Sequence, residues 1–130
     1  MANTAKAVSY LRVSGKAQVS GDGFPRQREV IARFAKFHGL EVTDEYRDEG
    51  VSGTKEFDHR DGLSDLMARI RSNGVRIVLV ERADRLARDL MISEIILAEF
   101  RKLGVQIIAA DSGTDLTVSD GDPISETQPR

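Results

Sequence analysis

Four consecutive apolar residues, Ile77-Val78-Leu79-Val80, constrain the fold of this chain more than any other stretch. A strand with one wet face alternates apolar and polar side chains, so an unbroken run belongs to a strand covered on both faces, as in a parallel sheet flanked by helices. The segments around it supply such helices. Gly62–Ser72 sets Leu63, Leu66, Met67 and Ile70 at i, i+3, i+4 and i+7 and ends at Asn73-Gly74, and Asp89–Leu103 turns Ile92, Ile95, Ile96, Phe100 and Leu103 inward. Ala7–Val13 reads as a second buried strand, Glu41–Tyr46 as a short one and Val105–Ala110 as a fourth. Phe24–His38 reads as a helix with Val30, Ile31, Phe34 and Ala35 on one face and Gly39 as its stop. This alternation predicts an α/β fold, a mostly parallel sheet of four to five strands with helices on both faces.

Length and composition narrow the function. A chain of 130 residues is the size of one domain. Cysteine is absent, which removes disulfides, thiolate metal sites and cysteine nucleophiles and fits a reducing, cytoplasmic setting. No apolar run reaches membrane-spanning length, and the N-terminus has no signal-peptide core. The net charge of −2 hides an uneven distribution. Residues 111–130 hold five acids and one base, net −4, so residues 1–110 carry +2. Of the 19 basic residues fourteen are arginine and five lysine, and the arginine fork suits bidentate phosphate contact. The reading is a domain over residues 1–110 followed by an acidic polar segment, 111–130, that resembles a linker or an unfinished element.

In parallel sheets, sites gather beyond the carboxyl ends of the strands. Four features fall there. Tyr10-Leu11-Arg12-Val13-Ser14 ends the first strand, and alternation places Tyr10, Arg12 and Ser14 on one side, so that a guanidinium and a hydroxyl leave the sheet edge together. Gln27 opens the first helix. Asp48-Glu49-Gly50-Val51-Ser52-Gly53-Thr54 follows the second strand, with Arg60 before the next helix. Glu81-Arg82-Ala83-Asp84-Arg85-Leu86-Ala87-Arg88 follows the third; were it helical, Asp84, Arg85 and Arg88 would share a face. Each motif alone also fits plain turn or surface chemistry. Together they offer a serine nucleophile within a cluster of phosphate-binding cations.

In their order and spacing these motifs, with Arg60-Asp61-Gly62-Leu63 and Ala83-Asp84-Arg85-Leu86-Ala87-Arg88-Asp89, resemble the catalytic domain of the serine site-specific recombinases, the resolvase and invertase family, over residues 6–110. The resemblance implies a DNA strand transferase in which Ser14 attacks a scissile phosphodiester, forming a 5′-phosphoserine link and freeing a 3′-hydroxyl. Arg12, Arg60, Arg85 and Arg88 would contact the phosphate, with Gln27 and Asp84 as supporting polar groups and no metal or other cofactor. It also implies double-stranded DNA as partner, self-association to dimer and tetramer, and an interface helix and DNA-binding region beyond residue 130, without which the chain would recombine nothing. Two departures stand out. Asp61 occupies a place where the family often has proline, and Arg82 one usually held by lysine. The base that takes the serine proton stays open between Asp84 and a guanidinium of the cluster.

Two other readings compete. One is a doubly wound phosphate- or nucleotide-binding module, which would cradle its ligand at Ser14-Gly15 and Gly50–Gly53 but lacks both a G-x-G-x-x-G and a Walker-type loop. The other is a catalytically silent domain of the same fold.

Overall fold

Strand and helix alternate along the chain as its periodicity requires. The computed structural model describes residues 5–13, 23–49, 61–87 and 90–118. In order these form β1 (Ala5–Val13), α1 (Phe24–Phe37), β2 (Leu40–Glu49), α2 (Asp61–Asn73), β3 (Ile77–Val80), a 3-10 turn (Ala83–Arg85), α3 (Leu90–Lys102), β4 (Gln106–Ala109) and β5 (Thr114–Asp115). The strands lie in the order β2-β1-β3-β4-β5. The first three pairings are parallel and the last antiparallel. No helix among the described residues is long and apolar enough to cross a membrane.

Side-chain parity sorts the core into two layers. On β1, Ala7, Leu11 and Val13 pack with Phe24, Ile31 and Ala35 of α1 and with Leu79 of β3. Val8 and Tyr10 face the other way, joining Val78 and Val80, Leu63, Leu66, Met67 and Ile70 of α2, and Ile96, Leu97 and Phe100 of α3. Helices therefore cover both faces, with α1 on one and α2 and α3 on the other. Because β1 connects to β2 through α1 and β3 connects to β4 through α3, the chain leaves the ends of β1 and β3 toward opposite faces. That is the switch point at which such sheets open a crevice.

Several elements differ from the sequence expectation. Strand β2 runs to Glu49, past the expected Tyr46, because it is an edge strand whose polar residues still pair with β1, Arg12 lying opposite Asp48. Ile95, expected inward, is 48% exposed and forms an apolar stripe with Leu90 and Met91 on the outer side of α3. Residues 111–118, expected within the linker, turn back at Gly113 (φ +77°) and add β5 to the sheet, and the Leu116 amide donates to Ile107 O at 2.7 Å. Gly39 stops α1 as expected; its φ of +68° is one that a side chain disfavours.

The start of α2 is fastened from a distance. Its first amides have no partner within the helix, and Asp48, 5% exposed at the end of β2, supplies one. Asp48 Oδ1 accepts from the Gly62 amide at 2.8 Å, and Oδ2 accepts from the Leu63 amide at 3.1 Å and from the Tyr10 hydroxyl at 2.7 Å. The approach is close enough to require glycine, since a Cβ at residue 62 would sit 2.2 Å from Arg47 O.

Two substitutions test this junction by chemical denaturation. Asp48→Ala strips a helix cap and removes the carboxylate that accepts from the buried Tyr10 hydroxyl, and is expected to cost on the order of 2–4 kcal/mol. Gly62→Ala forces the backbones apart and should cost on the order of 1–3 kcal/mol, with unchanged denaturant slope in both cases.

Candidate active site

At the switch point, the ends of β1 and β3 are tied by side chains that the sequence singled out. Arg12 shares a face with Tyr10, as alternation requires, yet its guanidinium does not project from the sheet edge. Arg12 is 2% exposed. Its Nε donates to Arg85 O at 2.9 Å and its Nη2 to Asp84 O, so the end of β1 grips the turn that follows β3. Arg85 returns the contact, with Nη1 donating to Arg12 O at 3.4 Å.

Gln27, fully buried on α1, reaches the same strand end. Its Oε1 accepts from the Arg12 amide at 3.3 Å and its Nε2 donates to Arg12 O at 3.2 Å, the pair of bonds a neighbouring strand would make. With β1 anchored this way, Gln27 and Arg85 both hydrogen-bond Arg12 at the strand end.

Glu81–Ala87 is not the helix under which Asp84, Arg85 and Arg88 were expected to share a face. Only Ala83–Arg85 turns, as a single 3-10 turn, because the chain must double back from a buried strand while Arg12 holds two of its carbonyls. Asp84 is consequently exposed and accepts from Arg82 Nε at 2.8 Å, a bond that holds the Arg82 guanidinium above its ordinary pKa. Arg85 is 8% exposed, and its Nε donates to Glu81 Oε1 at 3.0 Å. Ser14, Arg60 and Arg88 lie outside the described residues.

Sequence reasoning gave no role to Glu81 or to Arg26, whose Nη1 lies 2.7 Å from Glu81 Oε2. Parity held the signal. Residue 81 continues the phase of Ile77 and Leu79, so a carboxylate there faces α1 and needs a cation on it. A separate groove of about 440 Å³ lies between α3 and β5, lined by Leu86, Leu90, Leu97, Leu116 and Val118 among others.

Comparison with known proteins places these motifs in context. The family model described as Resolvase, N-terminal domain, matches residues 7–126. The N-terminal catalytic domain of TP901-1 integrase is 28% identical with a TM-score of 0.77, covering 89% of this chain and 85% of that one. A resolvase family site-specific recombinase from Streptococcus pneumoniae is 28% identical with a TM-score of 0.72, covering 90% and 79%. The C-terminal catalytic domain of ISC1926 TnpA, an IS607-like serine recombinase, is 31% identical with a TM-score of 0.69, covering 81% and 70%. Among curated proteins, the uncharacterized protein YbcK of Escherichia coli (strain K12) is 34% identical over 90 residues, 65% of this chain, and the chain spans only 18% of that protein's length.

If Arg12 fixes the turn after β3, removing its fork should loosen that turn specifically. Arg12→Ala is expected to cut hydrogen-exchange protection at the Arg85 and Leu86 amides, which close the turn onto Arg82 O and Ala83 O, while amides of β4 keep theirs. Native-state exchange read by NMR checks this, and equal loss at both places counts against a local tether.

Proposed function

The chain belongs to the Resolvase N-terminal domain family, and from that premise we propose that it is the catalytic domain of a site-specific DNA recombinase working through a 5′-phosphoserine intermediate. The observation that carries the reading is the meeting of Arg12, Gln27 and Arg85 at the carboxyl ends of β1 and β3. The residue after β1 is Val13's neighbour Ser14, the proposed nucleophile.

In the proposed step the Ser14 oxygen attacks phosphorus in line with the 3′-oxygen of the scissile nucleotide. An O–P bond forms, the P–O3′ bond breaks, the serine proton passes to a base and the departing 3′-oxygen gains one. The phosphoryl charge is unchanged and no redox partner is needed. Attack of a different strand's 3′-hydroxyl on the phosphoserine reverses the step and joins the new partners. Negative charge on the non-bridging oxygens is met by arginines held in place beforehand, with Arg12, Arg60, Arg85 and Arg88 in that role and Gln27 and Asp84 supporting them. Arg12 contributes first by fixing the turn that carries Arg85. No metal takes part. The partner is double-stranded DNA in the cytoplasm, engaged by dimers and tetramers of the protein.

The full-length protein incubated with sheared genomic DNA of its host, then denatured in detergent, is expected to retain covalent DNA. Nuclease digestion should leave a nucleotide on Ser14, and Ser14→Ala should lose the adduct entirely. An adduct that survives Ser14→Ala refutes the nucleophile. Absence of any adduct together with thermal stabilisation by mononucleotides would favour the phosphate-binding module instead.

The proton acceptor separates on a pH–rate profile of cleavage. With Asp84 as base, Asp84→Asn abolishes the limb on which rate rises with pH and slows cleavage about 100-fold or more. With a guanidinium as base, the limb on which rate rises with pH stays as in the wild type.

A further inference from the structure

Within the arginine cluster one carboxylate is shut away from water. The Glu81 side chain is 3% exposed and sits between two guanidinium groups, with Arg26 Nη1 at 2.7 Å from Oε2 and Arg85 Nε at 3.0 Å from Oε1. Its backbone is pinned as well, since Glu81 O accepts from the Asp111 amide at 3.0 Å and so continues the ladder between β3 and β4. Arg85 is thereby held from two elements. Its Nε is fixed by Glu81 and its Nη1 by the carbonyl of Arg12, and Nη2 has no protein acceptor among the described residues.

A buried ion pair is a poor way to gain stability, because the cost of desolvating both charges offsets most of their attraction, and an apolar pair would close the seam between α1 and β3 as well. What the carboxylate adds is orientation. A guanidinium fastened at Nε and Nη1 cannot swing, and the anion offsets the repulsion that would otherwise drive Arg26 and Arg85 apart. Arg26 Nε is buried with no hydrogen-bond partner among the described residues, where Glu81 is the group that pairs with this arginine.

We propose that Glu81 is a positioning residue which, acting through Arg85, aims its guanidinium at the phosphate before DNA arrives; this rests on the strand-transfer reading above. Glu81 itself touches neither DNA nor the reacting atoms. Its effect belongs to the cleavage step, since a misaimed arginine near the phosphorus costs rate more than it costs binding spread along the duplex.

The test uses the full-length protein and a nicked suicide duplex bearing a site recovered from the covalent adducts. At saturating duplex, Glu81→Gln is expected to slow single-turnover cleavage about 10- to 100-fold while duplex affinity stays within about threefold, and Glu81→Asp should recover part of the rate. In an Arg85→Ala background the same Glu81→Gln change is expected to alter the rate by less than about twofold, because a residue acting through another has nothing left to act on. Wild-type cleavage by Glu81→Gln, or its full penalty persisting without Arg85, overturns the proposal. Should Glu81→Gln fail to fold, the double variant Glu81→Gln/Arg26→Gln removes one charge of each sign and is expected to show the same slow cleavage, a normal rate again overturning the idea. A wild-type protein that forms no adduct refutes the strand-transfer reading, and Glu81 loses its proposed role with it.

Discussion

A guanidinium buried at the end of a strand sets the terms for everything around it. Arg12 carries five N–H donors into a place with almost no access to water, and each must find an acceptor. The structure answers with backbone, giving it the carbonyls of Asp84 and Arg85. Those acceptors are neutral peptide groups, so binding them costs Arg12 none of its charge, and the contact spans from β1 to the turn after β3. Neighbouring parallel strands whose chains depart to opposite faces tend to gape at their ends; here the gap is bridged by the side chain that also brings positive charge into it. Gln27 completes the seal from α1 by hydrogen-bonding the peptide groups of the same residue.

Most of the architecture was legible because it follows from burial. Ile77–Val80 could only be a doubly covered strand, Leu63, Leu66, Met67 and Ile70 could only line one face of a helix, and Gly39 ends α1 in the left-handed conformation that its lack of a side chain permits. The misreadings share a cause, in that they concern residues whose placement depends on partners distant in sequence. Strand β2 extends through charged residues because β1 supplies backbone partners, and apolar pattern says nothing about that. Ile95 fits a helical repeat yet faces outward, while Ile96, Leu97 and Phe100, with Ile92 packed against them, take the side facing the sheet. The stretch around Asp84 has helical spacing, but Arg12 takes carbonyls that a continuing helix would have used itself. The site was half legible for the same reason: Arg12 at a strand end, Gln27 at the start of the first helix and Arg85 in the segment after the third strand were singled out with the recombinase resemblance, whereas Glu81 and Arg26 emerge only when α1 is laid against the sheet.

Along β2, β1 and β3 the strand ends carry Asp48, Arg12 and Glu81, an anion, a cation and an anion, the first two on the α2 face of the sheet and Glu81 on the α1 face. Taken as bare charges, this row would repel a phosphate as strongly as it attracts one. Burial and hydrogen bonding change the balance. Asp48 spends its lone pairs on the Tyr10 hydroxyl and two amides of α2, and Glu81 spends its own on Arg26 and Arg85, so both carboxylates are sated and turned inward. Arg26 remains over a third exposed at its side chain. An approaching polyanion therefore meets guanidinium groups whose counter-charges lie behind them. Of the two acids, Asp48 fastens the start of α2 and Glu81 pairs with Arg26 and Arg85, so neither is turned toward the crevice, and the near-neutral total of this chain says little about the field there.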